Sequence, residues 1–123
     1  MAEASIQSAR DWVGRPISSL LAWWVPHAAM LAAFLFPVPA RAGVWTIALS
    51  WMGMACILNA WRCNRTHCRF TGPYLLAFTA PVLAFGFGIV SAGIYAWVLL
   101  AVLIVAGSGL IWWATERAWG RFS

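Results

Sequence analysis

The sequence has 123 residues, 63% of them hydrophobic and only 9% charged, and its eight basic residues are all arginine against three acidic ones, for a net charge of +5. Soluble domains carry about 25% charged residues, so a water-soluble globular fold is excluded and a single integral membrane domain is expected. The arginines punctuate the ends of apolar runs instead of forming a stripe, so the lipid bilayer is the expected partner and nucleic acid is not.

The chain opens on a distinct segment, residues 1–18. Ile6, Ala9, Trp12 and Val13 fall on one face at helical spacing, with Arg10 and Asp11 off that face. This pattern predicts a short interfacial helix lying on the membrane surface, broken by Gly14 and Pro16.

A helix crossing the hydrocarbon core needs about 20 mostly apolar residues. Four stretches meet that length: 19–38, 42–61, 72–91 and 94–115. None has Asp, Glu, Lys or Arg in its interior, and none alternates as a barrel strand would. Pro37, Pro39 and Gly43 mark the first turn. Ala40-Arg41-Ala42 also resembles a signal-peptidase site, although the apolar run before it is longer than that of a usual signal peptide. Gly72 and Pro73 open the third segment, Pro73 at a first-turn position, and Pro81 bends it. Ala84, Gly88 and Ala92 repeat every fourth residue there, a small-residue stripe suited to close helix packing. Residues 116–123 form a tail, with Glu116 and Arg117 as an exposed pair of little energetic weight.

The expected fold is therefore all-α: an antiparallel four-helix transmembrane bundle with short connections. Arg10, Arg15, Arg62, Arg65, Arg69, Arg117 and Arg121 would lie on one side and Arg41 alone on the other. The positive-inside rule then places both termini in the cytoplasm of a bacterial inner membrane. Eight of the ten tryptophans, Trp45 among them, lie near segment ends, as an interfacial belt requires.

The chemistry concentrates in the connection between the second and third segments, where Cys63, His67 and Cys68 stand among Arg62, Arg65 and Arg69. Thiolate and imidazole are soft or borderline donors suited to mercuric, cuprous or zinc ions. Three donors are too few for a closed structural zinc site, so an open, transient metal site is expected. Cys56, Asn59 and Cys63 share a helix face and would extend the thiols into the bilayer. His27, Thr79 and Ser108 fall at one depth with Cys56, a turn from Asn59, and this intramembrane polar layer would line an inner vestibule. Arg62, Arg65 and Arg69 would meet anionic lipid head groups.

The run Arg62-Cys63-Asn64-Arg65-Thr66-His67-Cys68-Arg69-Phe70-Thr71-Gly72-Pro73 resembles a segment of small bacterial four-helix membrane proteins. That resemblance implies a membrane fold and brings no activity with it. In size and thiol content the chain is also loosely similar to the mercuric-ion transport proteins, which place a close cysteine pair in or near their first membrane helix; the first segment here holds none.

Two functions follow. The first is a membrane protein that binds or passes a soft metal ion by exchange between thiolates. The second is a non-catalytic accessory or assembly subunit, as a homo-oligomer or within a larger membrane complex. With no paired carboxylates, nucleophile triad or cofactor motif in the sequence, catalysis is not expected.

Overall fold

The computed structural model describes residues 2–91 and 93–122, and every element among them is helical. We number them α1 (Ala2–Arg10), α2 (Pro16–Leu35), α3 (Val38–Cys63), α4 (Thr66–Ala77), α5 (Thr79–Gly86) and α6 (Ile94–Trp119). Three of these, α2, α3 and α6, are long and apolar enough to cross a membrane.

α2 is not a uniform helix. It widens to a π turn over Leu20–Trp24, with the Val25 N–H bonded to the Leu20 carbonyl, before continuing as α-helix. The cause is Pro26, whose ring would clash with the carbonyl one turn back and which has no N–H to give it. A wider turn just before the proline relieves both problems. α2 tightens into a 3-10 turn over Ala33–Leu35 and stops.

Arg41 seals that end. Its guanidinium donates to the carbonyls of Ala33 at 3.3 Å, Phe34 at 3.0 Å and Phe36 at 3.2 Å. The Ala33 carbonyl also accepts from the Phe36 N–H at 3.1 Å, and the carbonyls at a helix end otherwise lack partners in their own helix. Arg41 is buried in the first turn of α3, a correction to its expected place in an external turn. Trp45 is likewise core and not belt: it is fully buried, and its indole N–H reaches the Met30 carbonyl at 3.0 Å. Phe34 and Trp97 pack edge-on against it.

The connection expected to be a loop is two residues long. α3 runs to Cys63, Asn64 takes the left-handed conformation (φ 57°), and Arg65 leads directly into α4. Asn tolerates this conformation better than most residues, and its N–H caps α3 on the Ala60 carbonyl at 2.8 Å. His67, Cys68 and Arg69 therefore lie on the first turn of a helix.

Such a tight hairpin needs α3 and α4 to approach closely, and Gly53 and Gly72 permit it. A Cβ on Gly53 would come within 3.1 Å of the Gly72 carbonyl, and one on Gly72 within 3.1 Å of the Gly53 carbonyl. The expected Ala84–Gly88–Ala92 stripe does not pack this way. α5 ends at Gly86, Gly88 has a positive φ with nothing near it, and Ala92 lies outside the described residues. Pro73 sits inside α4, not in its first turn. The chain breaks at Phe78, between α4 and α5, with the Thr79 hydroxyl bonded to the Leu76 carbonyl at 2.6 Å; Pro81 follows, unable to donate one turn on.

Candidate functional site

The α3–α4 hairpin, the segment after α1 and the end of α6 converge at one end of the molecule. Arg65 joins them. It is 3% exposed, its Nη1 pairs with an oxygen of Asp11, and its Nε and Nη2 reach the two Glu116 oxygens at 2.6 and 3.3 Å. Burial works against the guanidinium charge, but the bonded Glu116 carboxylate, with Asp11, holds its pKa above the ordinary arginine value. The expectation that Arg65 meets lipid head groups is thus corrected: the buried Asp11 and partly buried Glu116 carboxylates occupy it. Arg62 and Arg69 remain exposed, Arg62 lying over the Trp12 ring at 4.4 Å. Glu116, expected to form an exposed pair with Arg117, instead faces inward. Next to Arg65, the Thr66 N–H and hydroxyl hold the C-terminal tail through the Arg121 and Gly120 carbonyls at 3.0 and 2.6 Å.

From this ion pair a closed ring of contacts runs through six residues. Asp11 accepts from the Asn59 amide at 2.8 Å, and that amide nitrogen also lies 3.5 Å from Cys68 Sγ. Cys68 Sγ is 3.5 Å from His67 Nε2, and His67 Nδ1 is 2.8 Å from Glu116. Glu116 returns to Arg65 and so to Asp11. A carboxylate only accepts, so Nδ1 carries a proton, and in the neutral ring Nε2 turns its lone pair to Cys68. Trp112 covers this corner. Its ring stacks on His67 at 4.4 Å between centroids, and its N–H reaches Glu116 at 2.8 Å.

All three thiols are free and buried, but they are not equivalent. Cys63 turns away into the helix end, with Sγ 3.1 Å from the Asn59 carbonyl and 3.7 Å from the Asn59 side-chain oxygen. Cys56 and Cys68 lie together in the core between α3 and α4, close enough to influence each other, and the Trp23 N–H rests on Cys56 Sγ at 3.2 Å. The spacing that suggested a Cys63–Cys68 pair therefore resolves into Cys56–Cys68, because the two-residue hairpin lays α4 antiparallel on α3. Among the described residues no three His, Cys, Asp or Glu side chains converge on a point that would hold a metal. The four expected ligands do not form one coordination sphere, and the expected open loop site is a buried one.

A cavity of about 580 Å³ lies beside the ring, with His27, Cys56, His67, Thr71, Ser108 and Trp112 in its wall. The expected polar layer is thus partly assembled. His27 and Ser108 reach the cavity; Thr79 does not, and Asn59 is spent inside the ring. Thr71 joins unforeseen, as do Asp11 and Glu116 in the ring and Trp112 packed against it. In a chain with only three acidic residues, two of them bordering apolar runs, a buried counter-charge for each is the signal that could have found Asp11 and Glu116.

Comparison of the sequence with protein-family models and curated proteins, and of the fold with solved structures, finds no match.

Proposed function

We propose that this chain is a four-helix antiparallel protein of a bacterial inner membrane that binds a soft metal ion between Cys56 and Cys68 and passes it on by thiolate exchange. In this reading α4 and α5 together make the third crossing, since 66–86 spans about 30 Å at 1.5 Å per residue. Both termini then lie with the α3–α4 hairpin in the cytoplasm, as the arginine distribution favours.

The observation that carries the reading is that the two-residue hairpin brings the buried Cys56 and Cys68 thiols together in the core. Two adjacent thiolates suit an ion content with two soft donors, mercuric or cuprous; zinc prefers four ligands. Binding would release both thiol protons and place the metal between the two sulfurs. His67 stands beside Cys68 with its other nitrogen fixed by Glu116, the carboxylate–imidazole arrangement that orients metal-binding histidines. Its Nε2, 3.5 Å from Cys68 Sγ, would take the Cys68 proton as the metal binds.

The test is X-ray absorption at the metal edge of protein loaded with one equivalent of cuprous ion. Two sulfur neighbours support the reading. A coordination sphere of nitrogen and oxygen alone contradicts it, and the six-residue ring then reads as the staple of an accessory subunit.

A further inference from the structure

The cavity beside the ring has features that a soft ion does not explain. α2 packs along α3 and α6 along α4, but α2 and α6 do not pack on each other, and the cavity lies between them. In a bilayer such a gap faces lipid, not water. The wall holds no Arg, Lys, Asp or Glu, so nothing there compensates an ionised ligand. Its lining residues include Thr71 and Ser108, whose hydroxyl oxygens are buried without any hydrogen-bond partner. Buried polar groups normally have one, and a ligand oxygen that reached these hydroxyls would supply it.

The rest of the wall suits a flat ring. Trp23 and Trp112 flank the cavity, and Trp112 already stacks on His67. His27 Nδ1 lies 2.6 Å from the Trp23 carbonyl and must carry a proton there, which leaves Nε2 for a second partner. A volume of about 580 Å³ is within the range of small-molecule sites.

We infer that this cavity binds a neutral, bilayer-dissolved ring with carbonyl oxygens, the chemistry of a membrane quinone, admitted laterally between α2 and α6. Thr71 and Ser108 donate to the carbonyl oxygens, and the Trp and His rings hold the ring plane. The site goes beyond the thiol reading and does not rest on it, since the ligand's hydrogen bonds are assigned to Thr71 and Ser108, although Cys56 also borders the cavity.

Two variants test it. Thr71→Val with Ser108→Ala removes both donors at nearly constant volume. Gly109→Leu fills the cavity: a Cβ on Gly109 meets no atom within 4 Å, and leucine favours helix over glycine. The chain in lipid nanodiscs is titrated with decylubiquinone, read by tryptophan fluorescence quenching, with decylbenzene as competitor and circular dichroism as the folding control. We expect saturable quenching in the wild type, not displaced by equimolar decylbenzene. Affinity falls about tenfold in the double variant, as loss of two ligand hydrogen bonds implies, and saturable binding is lost in Gly109→Leu. Quenching by folded Gly109→Leu equal to the wild type overturns the inference. So does equal displacement by decylbenzene, which would make the cavity a seat for any hydrocarbon.

Discussion

Arg65 meets Glu116 side-on, its Nε and Nη2 against the two carboxylate oxygens at 2.6 and 3.3 Å. The two residues are 51 positions apart, so this contact ties the α3–α4 hairpin to the end of α6. Asp11, on the other side of the same guanidinium, ties in the head of the chain.

Removing the arginine while leaving Asp11 buried and Glu116 partly buried should therefore be severe. Arg65→Met takes the counter-charge from Asp11 and Glu116 together, and breaking a buried pair such as Arg65–Asp11 costs about 3–5 kcal/mol. Unfolding in mixed detergent should show that loss. Adding Asp11→Asn and Glu116→Gln to Arg65→Met should recover much of it, because no unpaired charge is then left buried. Wild-type stability for Arg65→Met alone would show that the ring does not hold the three segments together.

The glycines separate packing from mere permissiveness. Gly53→Ala puts a methyl within 2.7 Å of Leu76 and 3.1 Å of the Gly72 carbonyl, so it should lose about 1–3 kcal/mol by overpacking. Gly43→Ala, in the same helix with nothing within 4 Å, should gain about 0.5–1 kcal/mol from backbone entropy. Equal effects in the same unfolding assay would mean that α3 and α4 are not in close contact at Gly53.

Topology is open to direct reading with fusions. Alkaline phosphatase, active only outside the cytoplasm, should be inactive when joined after Arg121 and active when inserted at Gly43 or Gly93. Activity at Arg121 would mean an odd number of crossings and would remove α4–α5 as the third span.

Much of this architecture was legible because it is local. Continuous apolar runs mark α2, α3 and α6, and the spacing of Cys56, Asn59 and Cys63 places all three on one face, which is buried. The third segment was less legible. Pro73 and Gly72 look like a helix start, yet α4 begins earlier, at Thr66, because Asn64 turns the chain in a single left-handed step. A run of arginines and thiols reads as a solvated loop until it is known that Asp11 and Glu116 wait for Arg65. Those contacts span 54 and 51 residues, a distance over which no periodicity carries information. Arg41 misleads for the same reason: its partners are backbone carbonyls of the preceding helix end, which leave no mark in side-chain pattern.

The pairing of Cys56 with Cys68, and not Cys63 with Cys68, is the centre of the account, and single-cysteine variants decide it. Purified, reduced protein is titrated with mercuric ion against a competing dithiol, comparing wild type with Cys56→Ser, Cys63→Ser and Cys68→Ser. We predict one tightly held ion per chain in the wild type and in Cys63→Ser, and its loss in both Cys56→Ser and Cys68→Ser. Retention in Cys56→Ser together with loss in Cys63→Ser would contradict the account and return the site to the hairpin end.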